Sequence, residues 1–365
     1  MLNYPGKKIS TFQINHPMPT IRPDISQLPE ELRAYIEYLE AEVARLQERP
    51  AQLSQGAEIE EFTAEPPGSL LVITGTASGI AKRTPLHLYP RQRRGGMGIF
   101  DLDAPGDEPP TLISIADKSQ ALLVITSHAR AFRLPLTQLP EAPVRARGAS
   151  IVQGLRLAEG ETIIAIVPAL AQGYLVLLSK TGMVRSLRHH IFGDYMKPGL
   201  PLYDIKSFGL LAAAVWTPGD GDLLIATRLG RAIRFSEKLV PPQGCLGIRL
   251  TADDLCVAVA PAYADSEVFF LAADGHGTIR QMKSFTANKS PGSGGKNAMA
   301  STQVVAAVNV DHAADLLIIS RLSKVIRFPV SEVPEKEGVV QGVICMNFRA
   351  DEAQAVAVRR PSQEF

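Results

Sequence analysis

The 365-residue chain is 45% apolar and 21% charged, the composition of a folded globular protein with a sizeable core and not of a disordered or fibrous one. No run approaches the roughly 20 apolar residues that span a bilayer, and the opening MLNYPGKKIS lacks the apolar core of a signal peptide. The formal net charge of +1 conceals a division: residues 1–22 carry +3, residues 23–66 carry −8 and residues 67–365 carry +6. A modestly basic body suited to a polyanion is thus joined to an acidic arm expected to compete for the same surface.

The arm, residues 1–48, is expected to hold a helix over about 27–48. Nothing from Pro29 to Glu48 breaks it, Ser26 suits the N-cap and Pro29 the first turn. Leu32, Ile36, Leu39, Val43 and Leu46 form a short heptad seam. The seam fits either a helix docked on the body or a homodimer through the helix, although two to three heptads are marginal for a dimer by themselves. Residues 49–68, rich in Glu, Gln and Pro, read as an acidic linker.

From 69 to 360 one pattern occurs six times: an apolar run, a short polar turn, and a second strand closing on a basic residue. The copies are LLVITGTASGIAK at 70–82, LLVITSHARAFR at 122–133, LVLLSKTGMVR at 175–185, LLIATRLGRAIRF at 223–235, VFFLAADGHGTIR at 268–280 and LLIISRLSKVIRF at 316–328. The closing residues Lys82, Arg133, Arg185, Arg234, Arg280 and Arg327 recur every 46 to 52 positions, a period that fits one four-stranded propeller blade per repeat. A further apolar run follows each hairpin: Leu112–Ile115, Thr162–Val167, Leu210–Trp216, Leu255–Ala260, Val304–Val308 and Ala353–Val358. The fold expected is all-β, a six-bladed propeller or pinwheel preceded by a short α-helical arm. Closure of the ring hides sheet edges, and the closing cations are placed on the wet face of an edge strand, where they discourage aggregation and some of them meet phosphate.

The first repeat carries Arg91 and then Gln92-Arg93-Arg94-Gly95-Gly96-Met97-Gly98. Arginine offers a planar fork of donors to a phosphate, and consecutive glycines let the backbone approach and present N–H groups to an anion. The plain alternative is a glycine-rich turn with two solvated arginines. Glycine segments recur at Arg145-Ala146-Arg147-Gly148, Pro198-Gly199, Gln243-Gly244, SPGSGGKN at 290–297 with Lys289 and Lys296, and Gln341-Gly342. They read as corner loops, and Lys296 is a candidate to replace the charge that Met97 lacks.

The segments AKRTPLHLYPRQRRGGMG at 81–98 and QLPEAPVRARGASIVQGLRLAEGETIIAIVP at 138–168 resemble the C-terminal domain of the DNA gyrase A subunit. The first is similar to the strand and signature box of that family, Q-R-R-G-G-[KR]-G, with Met97 at the sixth position in place of Lys or Arg; the second is similar to its second blade. The likeness continues more weakly to about residue 358. It implies a six-bladed pinwheel whose neighbouring blades exchange strands, and a basic rim around which duplex DNA bends, with Gln92, Arg93, Arg94, Gly95, Gly96 and Gly98 carrying the box. The DNA-binding candidates are these together with Arg91, Lys82, Arg83, Arg133, Arg145, Arg147, Arg185, Arg234, Arg280, Lys296 and Arg327.

Only about 68 residues precede the propeller. Tyr4, Tyr35 and Tyr38 lie in an arm too short for the winged-helix region that carries a gyrase tyrosine, so this chain alone is expected neither to cut nor to pass DNA. No P-loop occurs, no cofactor is expected, and no metal site: His189-His190 reads as a surface pair, and His128 and His276 fall in hairpin turns. Cys245, Cys256 and Cys345 read as buried thiols of a reducing cytoplasm. Trp216 is the sole tryptophan, which disfavours WD repeats.

The reading that results is a free-standing, non-catalytic, nucleoid-associated protein that wraps double-stranded DNA and constrains supercoils, in concert with gyrase or topoisomerase IV subunits or without them. The alternative is a propeller that docks protein partners, since the fold alone does not fix the function.

Overall fold

The computed structural model describes residues 66–104 and 108–361, and Pro29, Leu32, Arg33, Ile36, Glu37 and Glu40 of the arm. Leu32, Arg33, Ile36, Glu37 and Glu40 are helical; Ser26, Leu39, Val43, Leu46 and the acidic linker up to residue 65 lie outside the described residues. Residues 62–365 form a compact unit of their own.

Six hairpins carry that unit: Leu70–Thr76 with Ile80–Pro85, Leu122–Thr126 with Arg130–Leu134, Tyr174–Ser179 with Met183–Arg188, Asp222–Thr227 with Arg231–Ser236, Glu267–Ala272 with His276–Gln281, and Asp315–Ser320 with Lys324–Pro329. Their first strands are nearly uninterrupted Leu, Ile, Val and Phe, buried on both faces as fits a strand sandwiched between neighbouring blades. At the end of the first strand a buried hydroxyl turns the chain: Thr76, Thr126, Ser179, Thr227 and Ser320 each accept the backbone N–H four residues on, at 3.0–3.3 Å. The apolar run after each hairpin forms the inner strand of a blade: Pro110–Asp117, Ile163–Pro168, Leu211–Thr217, Cys256–Ala262, Val304–Val310 and Ala353–Arg359. These inner strands neighbour one another in order, and the sixth returns to the first, so the ring closes. One apolar core fills each seam between blades; Leu71 and Ile73 of blade one, for example, pack with Leu122, Val124 and Phe132 of blade two.

The fourth strand of every blade comes from the following repeat. Ala149–Ser150 joins blade one, Leu200–Pro201 blade two, Cys245–Leu246 blade three, Lys296–Asn297 blade four, Val343–Ile344 blade five and Ile99–Phe100 blade six. The last of these pairs Lys324 and Val325 with residues more than 220 positions away, which is how the circle is locked. A glycine stands immediately before each donated strand. At Gly98 the reason is plain: φ is +70° and a Cβ would lie 2.7 Å from the Val325 carbonyl oxygen.

The closing cations differ from expectation on two counts. Counted from the positive-φ residue of each hairpin turn (Gly79, Ala129, Gly182, Gly230, Gly275 and Ser323), Arg83, Arg133, Arg234 and Arg327 are fourth. Lys82 and Arg185 are third and Arg280 is fifth, so they point to the opposite face of the sheet. Nor do they sit on a wet edge. Lys82, Arg234, Arg280 and Arg327 are buried, and Arg133 and Arg185 half-buried, because the donated strand and its loop fold over them. On either face each one donates to a main-chain carbonyl of the following repeat's loop: Lys82 to Pro143 (2.7 Å), Arg133 to Phe192 (3.0 Å), Arg185 to Pro242 (3.0 Å), Arg234 to Met282 (2.7 Å), Arg280 to Gly338 and Arg327 to Tyr89 (3.2 Å). Asp222 and Asp315 balance Arg234 and Arg327 at 2.7 Å. These cations are clasps between blades.

The cysteines follow expectation in part. Cys256 and Cys345 are buried, and burial pushes both thiols up to about 12; Cys245 is half-buried. Of the histidine pair, His190 is exposed, whereas His189 is half-buried and held to the Gly173 carbonyl.

Removing Arg327 while keeping its bulk strips the buried Tyr89 carbonyl of its clasp and leaves Asp315 with the partly exposed Arg91 as its remaining partner (3.1 Å), so Arg327→Met is expected to cost about 3 kcal/mol in denaturant unfolding; a loss below about 0.5 kcal/mol would mark the residue as a solvated surface arginine. A second test lies at the seventh residue after the positive-φ turn residue, just beyond the hairpin, where Leu86, Leu136, Met282 and Val330 fill a buried apolar slot. Repeat four places Glu237 there, with hydrogen bonds from Thr217 and Ser186 and no paired cation among the described residues. Burial raises its carboxyl pKa, and the Asp220 charge adds to the rise. A folded-state pKa above the unfolded one gives stability that is present at acid pH and lost as pH rises through the folded value. Glu237→Gln is therefore expected to stabilise the ring at neutral pH, with the gain vanishing under acid conditions in pH-resolved unfolding curves.

Candidate nucleic-acid interface

The box is a short loop stitched at both ends. Before it, Tyr89 is buried and its carbonyl is held by Arg327. After it, Asp101 is buried, bonded through its N–H to Ser323 and through its carboxylate to Lys82 (2.8 Å) and Thr74 (2.8 Å). The Tyr89 hydroxyl then donates to Asp101 at 2.7 Å, closing the loop on itself. Burial and the Asp101 charge drive the Tyr89 hydroxyl pKa upward, so it stays a donor. Two buried residues thus hold an exposed segment in one geometry.

Within the loop the main chain is committed to neighbouring blades. Gln92 N–H donates to Arg327 (2.7 Å), Gly95 N–H to Cys345 (2.8 Å) and Arg94 N–H to the Glu332 carboxylate (2.7 Å), while the Gly96 carbonyl accepts from Asn347 (3.0 Å). The expectation that the glycine pair presents its N–H groups to an outside anion is therefore corrected: the Gly95 donor is taken by the protein, and Gly96 N–H points at the Arg93 carbonyl (3.4 Å). The glycines let two blades meet.

The side chains divide in the same way. Arg94 donates to the carbonyls of Glu332 (2.8 Å) and Ile344 (3.3 Å). Arg91 pairs with Asp315 at 3.1 Å. Arg93 is exposed and its guanidinium has no protein partner among the described residues. Met97 is 48% exposed and adds apolar surface. Along the rim, Arg145 and Arg147 stand exposed on blade one, Arg145 at φ +61°. Arg83 of the same blade is half-buried and 3.6 Å from Glu141. Lys296 stands on blade four, bonded to Thr286 (2.6 Å) and 5.5 Å from the centre of the Phe285 ring, while the box lies on blade six; it does not complement Met97. Lys82, Arg133, Arg185, Arg234, Arg280 and Arg327 point into clasps and not at the rim. Tyr89, Asp101, Asp315 and Glu332, which position the box, carry no signal in the sequence beyond an acid placed before three of the apolar runs, at Asp222, Glu267 and Asp315.

The sequence model of the family described as "DNA gyrase C-terminal domain, beta-propeller" matches residues 71–108, 120–169, 221–262 and 314–360. The propeller belongs to this gyrase A C-terminal-domain family. The matched stretches are repeats one, two, four and six, the four with arginine at the fourth position after the turn; Ser186 and Ile279 hold that position in repeats three and five. The DNA gyrase A protein of Mycobacterium leprae is 27% identical over 307 residues, covering 80% of this chain and 24% of the relative. That of Chlamydia muridarum is 27% identical over 308 residues, covering 80% and 36%. The chain thus spans about a quarter to a third of these relatives. A gyrase A C-terminal domain structure superposes with a TM-score of 0.70 at 20% identity, over 80% of this chain and all of that one. The C-terminal domain of DNA topoisomerase IV superposes with 0.57 at 16% identity, over 80% and 94%. Among the described residues, no helix is long and apolar enough to cross a membrane, and no three His, Cys, Asp or Glu gather to hold a metal.

The two box arginines are expected to separate in a stability assay. Arg94→Ala removes charge-assisted bonds to two carbonyls and is expected to cost about 1 kcal/mol, whereas Arg93→Ala should stay within about 0.5 kcal/mol of the parent. Equal thermal midpoints for the two variants would contradict the division of roles.

Proposed function

We propose that this propeller binds duplex DNA along its rim, bends or wraps it, and so constrains supercoils without doing chemistry. The observation that carries the reading is Arg93, a guanidinium without a protein partner among the described residues, on a loop fixed by Tyr89 and Asp101, with Arg145 and Arg147 exposed on the adjoining blade. Phosphates carry no sequence code, so recognition is through backbone charge and duplex flexibility. A loop already fixed pays little ordering cost on binding, which favours contact even by few charges. Gyrase or topoisomerase IV subunits are the partners that the family suggests, the nucleoid is the place of action, and homodimerisation belongs to the arm. DNA work by the chain as a free-standing protein is part of the same proposal.

A docking platform for proteins is the second reading, favoured by Met97 in place of a cation and by the exposed Phe100 and Ile344 nearby. Ligation of nicked plasmid with increasing protein, followed by deproteinisation and gel analysis of linking number, separates the two. A shift in linking number, abolished by Arg93→Ala with the fold intact, is the expected result. Unchanged topology and mobility at low salt would favour protein docking.

A further inference from the structure

The loop segments that precede the donated strands lie on successive blades, and their charge is uneven. On blade six the segment 89–100 offers Arg93. On blade one, 139–150 offers Arg145 and Arg147, its acid Glu141 lying 3.6 Å from Arg83. On blade two, 189–201 offers Lys197, its acid Asp194 being paired with Arg133 at 2.8 Å. On blade three, 238–246 offers the exposed Lys238 and no acid. On blade four, 283–297 holds Lys283, Lys289 and Lys296 and no acid. Blade five alone is acidic: 331–344 carries Glu332, Glu335 and Glu337 against Lys336. Glu335 is exposed there, and beside it stands Glu267 at the end of the blade-five hairpin. Burial, and then the neighbouring Glu335, raise the Glu267 carboxyl to about 7, the signature of carboxylates already crowded before any phosphate arrives. Glu332, bonded to Arg94, marks the border between this sector and the box.

Resting on the reading that the rim holds duplex DNA, we propose that the track is an open horseshoe. It starts at the box on blade six, runs through blades one to four, and is broken at blade five by Glu335 and Glu337. Because blades five and six adjoin, the two ends of the bound duplex are brought side by side across the acidic sector and held apart by it.

The test combines the salt dependence of binding to a linear duplex with hydroxyl-radical protection, using the full chain. Removing one phosphate-neutralising charge lowers the log–log salt slope by about 0.9. Arg145→Ala with Arg147→Ala, and Lys289→Ala with Lys296→Ala, are each expected to lower the slope by about two and to shorten the protected tract. Glu335→Lys with Glu337→Lys is expected to raise the slope and lengthen the tract. These side chains are exposed, and thermal unfolding at the parent's midpoint certifies each fold. A blade-four pair without effect, or a blade-five reversal that changes neither readout while the blade-one pair lowers both, would overturn the horseshoe and leave the DNA-binding reading standing. A parent chain without salt-sensitive binding would overturn both.

Discussion

Every seam of this ring depends on one interaction, a cation near the end of a hairpin donating to a backbone carbonyl in the loop of the next repeat. A loop that leaves its own blade, lends two residues to a neighbour and returns exposes carbonyls that no ladder can satisfy, and burying them unpaired is costly. Lys82, Arg133, Arg185, Arg234, Arg280 and Arg327 meet that need from one or the other face. Two-residue donated strands are too short to hold by ladder bonds alone. With a clasp and an apolar core at each seam they close a circle.

The same constraint fixes the candidate interface. Loop 89–101 is the place where the last blade meets the first, so residues that secure the circle also shape the rim. Tyr89 and Asp101 are buried beneath it and are joined to each other at 2.7 Å. What reaches solvent there, Arg93 and Met97 among it, stands on a base that binding does not have to order.

Much of the architecture was legible in the sequence. Short apolar runs followed by polar turns at a period near fifty reveal the repeats, the hairpins and the inner strands, because burial on both faces leaves an uninterrupted Leu-Ile-Val signature. The closing cations misled for a physical reason: recurrence at the end of a strand says nothing about which face a side chain takes, and one residue of offset, as between Lys82 and Arg83, reverses it. The donated strands, such as Ile99–Phe100, are too short for periodicity, and their exchange was visible only through family likeness. Asp101 and Glu332 matter through partners 19 and 238 residues away, a kind of relation that a linear pattern does not display.

Because Gly95, Gly98 and Arg94 hold blades together, folding alone is enough to preserve them through evolution. The Arg93 guanidinium has no protein partner among the described residues, and Met97 is 48% exposed, so the ring constrains these two side chains least. A retained glycine core is therefore poor testimony to a retained task in chains of this kind, and a lost one testifies to a ring rebuilt. The side chains at 93 and 97 are where divergence of function would be written first.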